Sequence, residues 1–327
     1  EIDSLFGFDT IIEIEPIGND DINIVWEWKA LDHLIQDINP NFENYGIVED
    51  HPELLDINMP INHNTTLDWL HSNCISYNEE LDQIVISARF SNEIYVIDHS
   101  TTTQEAASHT GGLYGKGGDI LYRWGNPQNY KRGTAQDEIL GAQHGVDWIP
   151  SGYPGEGNFL LFNNQHEFYG PNNPNSRSAV LEISPPINDD GSYAIINGDS
   201  FGPTSPIWIY QDQFFSNFQS GAFRLPNGNT IITSSADELI VEVNRFGEIE
   251  LTYNSYNNSR AIKYGLDYLN SSLQGDISED GLVNVLDIIE LINIILNNQY
   301  NSSADLNNDS IVNVLDVIQL VNLILEQ

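Results

Sequence analysis

Residues 83–98, Gln83-Ile84-Val85-Ile86-Ser87-Ala88-Arg89-Phe90-Ser91-Asn92-Glu93-Ile94-Tyr95-Val96-Ile97-Asp98, set two β-branched and aromatic runs around a polar turn, the pattern of paired antiparallel strands. Three more pairs repeat it at irregular intervals: Ile11 to Pro16 with Ile24 to Trp28, Asn158 to Phe162 with Ala179 to Ile183, and Leu225 to Ile232 with Leu239 to Ile249. Each unit reads as strand, turn, strand, turn, strand. Small antiparallel units that recur along a chain cannot bury their faces alone and pack radially, so the expected fold is mainly β, a β-propeller. A β-sandwich is the simpler alternative. The first unit begins almost at Glu1, with no room for the strands that should precede it, so the expectation is a propeller over 1–270 whose N-terminal blades are missing.

A linker around Asn270-Ser271-Ser272 leads to a different region, 275–327, with 9 acidic residues and no Lys or Arg. There Asp276-Ile277-Ser278-Glu279-Asp280-Gly281-Leu282-Val283-Asn284-Val285-Leu286-Asp287 aligns without gaps on Asp305-Leu306-Asn307-Asn308-Asp309-Ser310-Ile311-Val312-Asn313-Val314-Leu315-Asp316, 29 residues later. Each copy runs into an apolar segment at helical spacing, Ile288 to Leu296 and Val317 to Leu325. A hard cation of calcium's size takes about six to eight oxygens, which a twelve-residue loop supplies from alternate positions and its last residue. The first loop offers Asp276, Ser278, Asp280, the Leu282 carbonyl, Asn284 and Asp287; the second offers Asp305, Asn307, Asp309, the Ile311 carbonyl, Asn313 and Asp316. Two bound calcium ions are expected. Gly281 suits the sharp turn at the sixth position, and Ser310 fits a left-handed backbone less well.

This tail resembles a type I dockerin, a paired calcium-loop module that docks onto cohesin domains in extracellular assemblies. Asp at the last loop position, where an EF-hand has Glu, belongs to that pattern. The match departs at the tenth and eleventh positions, where cohesin readers often carry small polar or basic residues and this chain has Val285-Leu286 and Val314-Leu315. The expected partner is a cohesin-like domain, the propeller's own surface or another copy of the protein.

Across 327 residues, 48 Asp+Glu against 11 Lys+Arg give a formal charge of -37. A surface this negative repels phosphate backbones and anionic lipid, which excludes nucleic-acid and polybasic-membrane partners. No apolar run is long enough to be a transmembrane segment. The start, Glu1-Ile2-Asp3-Ser4, has neither the basic nor the apolar part of a signal peptide, so the sequence shows a mature form or has lost its start. Cys74 alone excludes an internal disulfide and leaves the redox compartment undecided. Strong acidity suits a secreted, extracellular or cell-surface protein in salty or calcium-containing water, with the periplasm as the other compartment. Asn64-Thr65-Thr66 and Asn270-Ser271-Ser272 fit the glycosylation sequon.

Reactive side chains are densest between residues 68 and 148, in Asp68-Trp69-Leu70-His71-Ser72-Asn73, Ser87-Ala88-Arg89-Phe90 and Gly141-Ala142-Gln143-His144-Gly145-Val146-Asp147-Trp148. Residues on the inner strands of a propeller converge on its channel, so His71, Arg89 and His144 can meet although they are distant in sequence. Taken singly, each has an ordinary reading, as a satisfied structural histidine or an ion-pair partner. His99, His109 and His166 are read as structural.

The His-x-Asn, the Arg 18 residues later, Trp124-Gly125 and Gln143-His144 resemble the bacterial arylsulfate sulfotransferase family. Asp98-His99-Ser100-Thr101-Thr102, Gly117 to Asn126 and Leu225-Pro226-Asn227-Gly228-Asn229-Thr230 extend the resemblance over most of 10–270. It implies a six-bladed propeller that moves a sulfuryl group from a phenolic (aryl) sulfate to a phenol through a sulfated histidine, with no nucleotide cofactor. On that resemblance His144 is the nucleophile, and His71, Asn73 and Arg89 hold the sulfate oxygens. The family's further histidine, in a His-His-Asp segment on an earlier blade, has no match here. It falls in the stretch that the blade count leaves out, which a second chain or homo-oligomer could supply. The competing expectation is a non-catalytic structural or adhesive propeller in an extracellular assembly; a lyase or glycosidase lacks a carboxylate pair in the motif region.

Overall fold

Successive residues of a strand face opposite sides of its sheet, so a strand apolar at every position must have both sides covered. The strands of the N-terminal region follow this rule. In the computed structural model, residues 7–18, 21–61, 68–264, 275–278, 282–297, 300–307 and 309–325 are described, in two compact units, Glu1–Ile262 and Lys263–Gln327. The first unit opens with a hairpin of β1 (Thr10–Ile17) and β2 (Asp21–Lys29), followed by a short parallel pair, β3 (Leu34–Ile35) and β4 (Leu55–Asp56). Three four-stranded antiparallel meanders come next: β5 (Ser72–Asn78), β6 (Gln83–Ala88), β7 (Glu93–Asp98) and β8 (Ile120–Trp124); β9 (His144–Trp148), β10 (Phe159–Glu167), β11 (Arg177–Ile183) and β12 (Trp208–Gln211); and β13 (Gly221–Arg224), β14 (Thr230–Ser234), β15 (Leu239–Val243) and β16 (Ile249–Asn254). The unit is mainly β, and its meanders are built as propeller blades.

The cores lie between sheets. Val85, Ile94 and Val96 pack with Phe159, Leu161 and Leu181 of the next meander, while Ile84, Ile86, Tyr95 and Ile97 turn the other way onto Trp26 and Trp28 of the hairpin. Leu160, Phe162 and Val180 meet Ala222, Ile232 and Val241 of the third meander. Each such buried side chain contributes about 1.5–3 kcal/mol, so the meanders are stable only against one another.

Two expectations need correction. The first visible unit is a two-stranded hairpin, and the later units have four strands rather than three. β5 and β16 carry exposed or half-exposed residues throughout, so they lack the apolar run by which β6 and β7 are recognised.

The second unit holds α1 (Val285–Leu296) and α2 (Val314–Leu325), around a core of Ile277, Leu291, Ile294, Ala304, Leu306 and Leu320. Both helices start three residues before the apolar periodicity does. The cause is capping: the Asn284 side chain accepts from Leu286 N (2.8 Å) and Asp287 from Asn284 N (2.8 Å), and Asn313 and Asp316 repeat this (2.7 and 2.8 Å). The last turn of each loop is therefore the first turn of a helix. Asp280, Gly281 and both sequons lie outside the described residues.

Candidate active site and calcium loops

The first strands of the three meanders lie side by side. Asn73 of β5 donates from Nδ2 to the Gln143 carbonyl (2.8 Å), Cys74 to the Val146 carbonyl (3.1 Å), and a Cβ on Gly145 of β9 would sit 3.2 Å from Gly221 Cα of β13. Their starts share one rim and enclose a cavity of about 320 Å³ lined by His71, Asn73, His144, Gly145, Gln219, Ser220, Ser259 and Arg260. Three of the four residues singled out in the sequence thus come together. Arg89 does not line this cavity: its Nη2 donates to the Asn217 carbonyl (3.3 Å), its guanidinium lies 5.4 Å from the Phe90 ring centre, and that ring packs on His71 at 4.7 Å.

Backbone in the left-handed region marks every entry to this rim. His71 (φ 53°), Ala142 (50°), Gln219 (47°) and Ser220 (81°) are non-glycine residues there, at a cost on the order of 1–3 kcal/mol each. The neighbours hold them in place. His71 Nδ1 bonds the Asp68 carboxylate, Asp9 accepts from Leu70 N and Ser72 N on either side, Ala142 N donates to Asn92 Oδ1, and Ser220 N donates to the Ser259 carbonyl.

His144 is buried, and its Nδ1 lies 2.9 Å from Asn164 Oδ1 and 3.1 Å from the Ala142 carbonyl. Asn164 has no freedom to flip, because its Nδ2 donates to the carbonyls of Ser216 (2.9 Å) and Gln219 (3.0 Å). Nδ1 therefore carries the proton and Nε2 the lone pair. Among the described residues nothing hydrogen-bonds Nε2. Burial pushes the His144 pKa down to about 4; the Asn164 bond opposes this, and the charge of Arg89 adds to it. The result is a neutral, oriented imidazole at neutral pH. Burial also lowers the Arg89 pKa, and Arg89 Nε and Asn73 Oδ1 are buried without a partner among the described residues.

Sequence reasoning missed Asn164 and Arg260. Arg260 reaches the cavity because Gly221 has no side chain: a Cβ there would lie 2.6 Å from Arg260 Cδ. Its Nη1 lies 3.0 Å from Cys74 Sγ. No local motif announces either residue; both follow from the meeting of three strand starts. His99 bridges Asp82 and Glu13, the structural part expected of it.

In the second unit Asp276, Asp287, Asp305 and Asp316 are buried. Burial alone would raise the Asp287 pKa, but N–H groups of Ser278, Asn284 and Ile277 outweigh it and hold the carboxyl below its ordinary value. Asp305 accepts from Asp309 N (3.1 Å) and Ser310 N (2.8 Å), and Asn307 Oδ1 from Asp309 N (2.9 Å). Ser310 adopts φ 67°, the strained turn its position demands. Buried carboxylates gathered beside amide and carbonyl oxygens, with no nitrogen or sulfur donor, suit a hard cation such as calcium.

Residues 5–264 match the family Arylsulfotransferase (ASST), and the chain belongs to that family. Residues 274–325 are a type I dockerin domain, a class that typically binds calcium and cohesins. No curated protein matches the chain. Solved structures with some similarity include a protein of unknown function from Bacteroides caccae (11% identity, 56% of this chain and 46% of that one, TM-score 0.31). A catalytically inactive virginiamycin B lyase from Staphylococcus aureus with quinupristin (12%, 57% and 41%, TM-score 0.27) and a nidogen/laminin complex (9%, 58% and 70%, TM-score 0.24) are others. The chain spans about half the length of the first of these structures, and likenesses this low carry no argument. No helix among the described residues is long and apolar enough to cross a membrane.

Proposed function

We propose that the propeller is a sulfotransferase, moving a sulfuryl group from an aryl sulfate to a phenolic acceptor through a sulfohistidine at His144. The observation that carries this reading is the oriented imidazole, with Nδ1–H tied to Asn164 and Nε2 unbonded among the described residues at a cavity. Nε2 attacks sulfur as the sulfur–oxygen bond to the aryl group breaks, and the phenolate leaves with the electron pair and takes a proton from solvent. An acceptor phenol then attacks sulfur, the sulfur–nitrogen bond returns its pair to the imidazole, and the acceptor's proton is released. Splitting one transfer in two lowers each barrier. Charge on the three equatorial oxygens needs donors, and His71, the Asn73 amide and Arg260 supply them, while the Arg89 charge acts from behind Phe90. These two arginines belong to only 11 Lys+Arg in a chain of charge -37, whose field otherwise repels a sulfate.

The tail holds two calcium ions, one per loop, in an extracellular or cell-surface setting, and docks the enzyme onto a cohesin-like partner or a second copy. Support comes from Val285, Leu286, Val314 and Leu315, which occupy equivalent positions of the repeat and are all more than half exposed. The test is 4-nitrophenyl sulfate with phenol as acceptor. The reading expects nitrophenol release that depends on phenol and yields phenyl sulfate; release by hydrolysis alone, or no release, overturns it.

A further inference from the structure

A second constellation of reactive groups lies outside the His144 cavity. The turn Ala30–His33 after β2 buries His33 completely. His33 Nε2 lies 2.9 Å from the Ala106 carbonyl and Nδ1 2.8 Å from Asp119 Oδ1. His109 brings its own Nδ1 to the same Asp119 oxygen, also at 2.8 Å, and the three donor atoms lie within 4.8 Å of one another. The site is built. Trp28 stacks on the His33 ring at 5.5 Å and 5° and donates from Nε1 to the Gly118 carbonyl (2.7 Å). Gly118 leaves room for the contact of His33 with the Ala106 carbonyl, since a Cβ there would sit 2.0 Å from the Ala106 oxygen and 2.7 Å from His33 Nε2.

Hydrogen-bond capacity says what the cluster calls for. The Ala106 carbonyl only accepts, so His33 carries its proton on Nε2. Its Nδ1 then faces a carboxylate oxygen at a buried position, and a second imidazole nitrogen faces the same oxygen. Two imidazole nitrogens that share one buried carboxylate oxygen are joined to it either by their own protons or by a common cation. Two imidazoles and one carboxylate, with the far N–H of the buried ring held by a backbone carbonyl, form the ligand set and outer support of a transition-metal site. Tetrahedral zinc bonds of about 2.0–2.1 Å hold donors about 3.3 Å apart, so each imidazole–carboxylate distance lengthens by about half an ångström while the two imidazole nitrogens, within 4.8 Å, draw together. His109 also lines a cavity of about 450 Å³ bounded by Leu31, Ile35, Tyr45, His51 and Leu54, which leaves an approach to a further coordination position.

We propose that His33 Nδ1, His109 Nδ1 and an Asp119 carboxylate oxygen bind one divalent cation of the zinc class, with its fourth position open to water or a small anionic ligand from that cavity. Imidazole nitrogen selects such ions, while the oxygen-only loops of the tail select calcium. The ion would also tie the loop carrying His109 to the turn after β2.

The test uses the full chain without a polyhistidine tag, saturated with calcium and titrated with zinc, then with cobalt(II) as a coloured reporter. One zinc per chain is expected, with the visible band of four-coordinate cobalt. His109→Ala, at a largely exposed side chain, should keep the circular dichroism of the parent, lose the cobalt band and weaken zinc binding about tenfold or more. Absence of a cobalt band in the parent, or equal zinc affinity in His109→Ala, overturns the proposal and leaves a proton-bridged ion pair.

Discussion

In the tail every proposed calcium ligand comes from one twelve-residue window, copied 29 residues later, whereas the cavity around His144 gathers residues from His71 to Arg260. The first kind of site is local. Its closing hydrogen bonds, Asn284 with Asp287 and Asn313 with Asp316, join residues three apart. The second kind exists only because three sheets begin their first strands at one rim, so side chains that touch no substrate govern its geometry. A local site should lose its parts one at a time; an assembled one should fail through its supports as well as its nucleophile.

The largest effect tests the assembled site. His144→Ala should lower transfer from 4-nitrophenyl sulfate by on the order of a thousandfold or more, followed by nitrophenol release. Asn164→Ala removes the group that fixes the proton on Nδ1 and should lower kcat about a hundredfold with KM little changed. Parent-like kinetics in that variant would break the contrast. For the local sites, calorimetry should show two calcium ions in the parent and one each in Asp276→Ala and Asp305→Ala, with the remaining affinity nearly unchanged. Loss of both ions in either variant would mean that the loops depend on each other.

The smallest effect is in pH. Since burial holds the His144 pKa at about 4, its imidazole stays deprotonated well into the acid range, and on the proposed role kcat/KM should stay level to about pH 5 and fall as pH passes about 4. The folded chain takes up this proton only below the unfolded value of 6.5. The His144 contribution to stability is therefore unchanged above pH 6.5 and declines as pH falls from 6.5 toward 4. An acid limb in the rate near 6.5 would show a wet, unconstrained imidazole.

Legibility in the sequence follows the same division. The tail could be read residue by residue because each loop is contiguous and repeated. Central strands such as β6, β7, β10 and β11 were legible because both faces are buried, which forces an unbroken apolar run. β5 carries a weaker signal, since Ser72, Cys74, Ser76 and their neighbours stay exposed or partly exposed. His71, Asn73 and His144 could be named from their motifs, but Arg260 and Asn164 carry no local signal, and Arg89 stands behind Phe90 rather than on the cavity wall. His109, read as structural, shares a carboxylate oxygen with a histidine that no spacing rule would pair with it.

The central claim is that His144 carries the sulfuryl group, and mass spectrometry of chain quenched at alkaline pH during turnover of an aryl sulfate tests it most directly. The account predicts one sulfuryl group per chain, on the peptide containing His144, discharged by phenol and missing from His144→Ala. An unmodified chain under donor excess, or an adduct on a different residue, would contradict it.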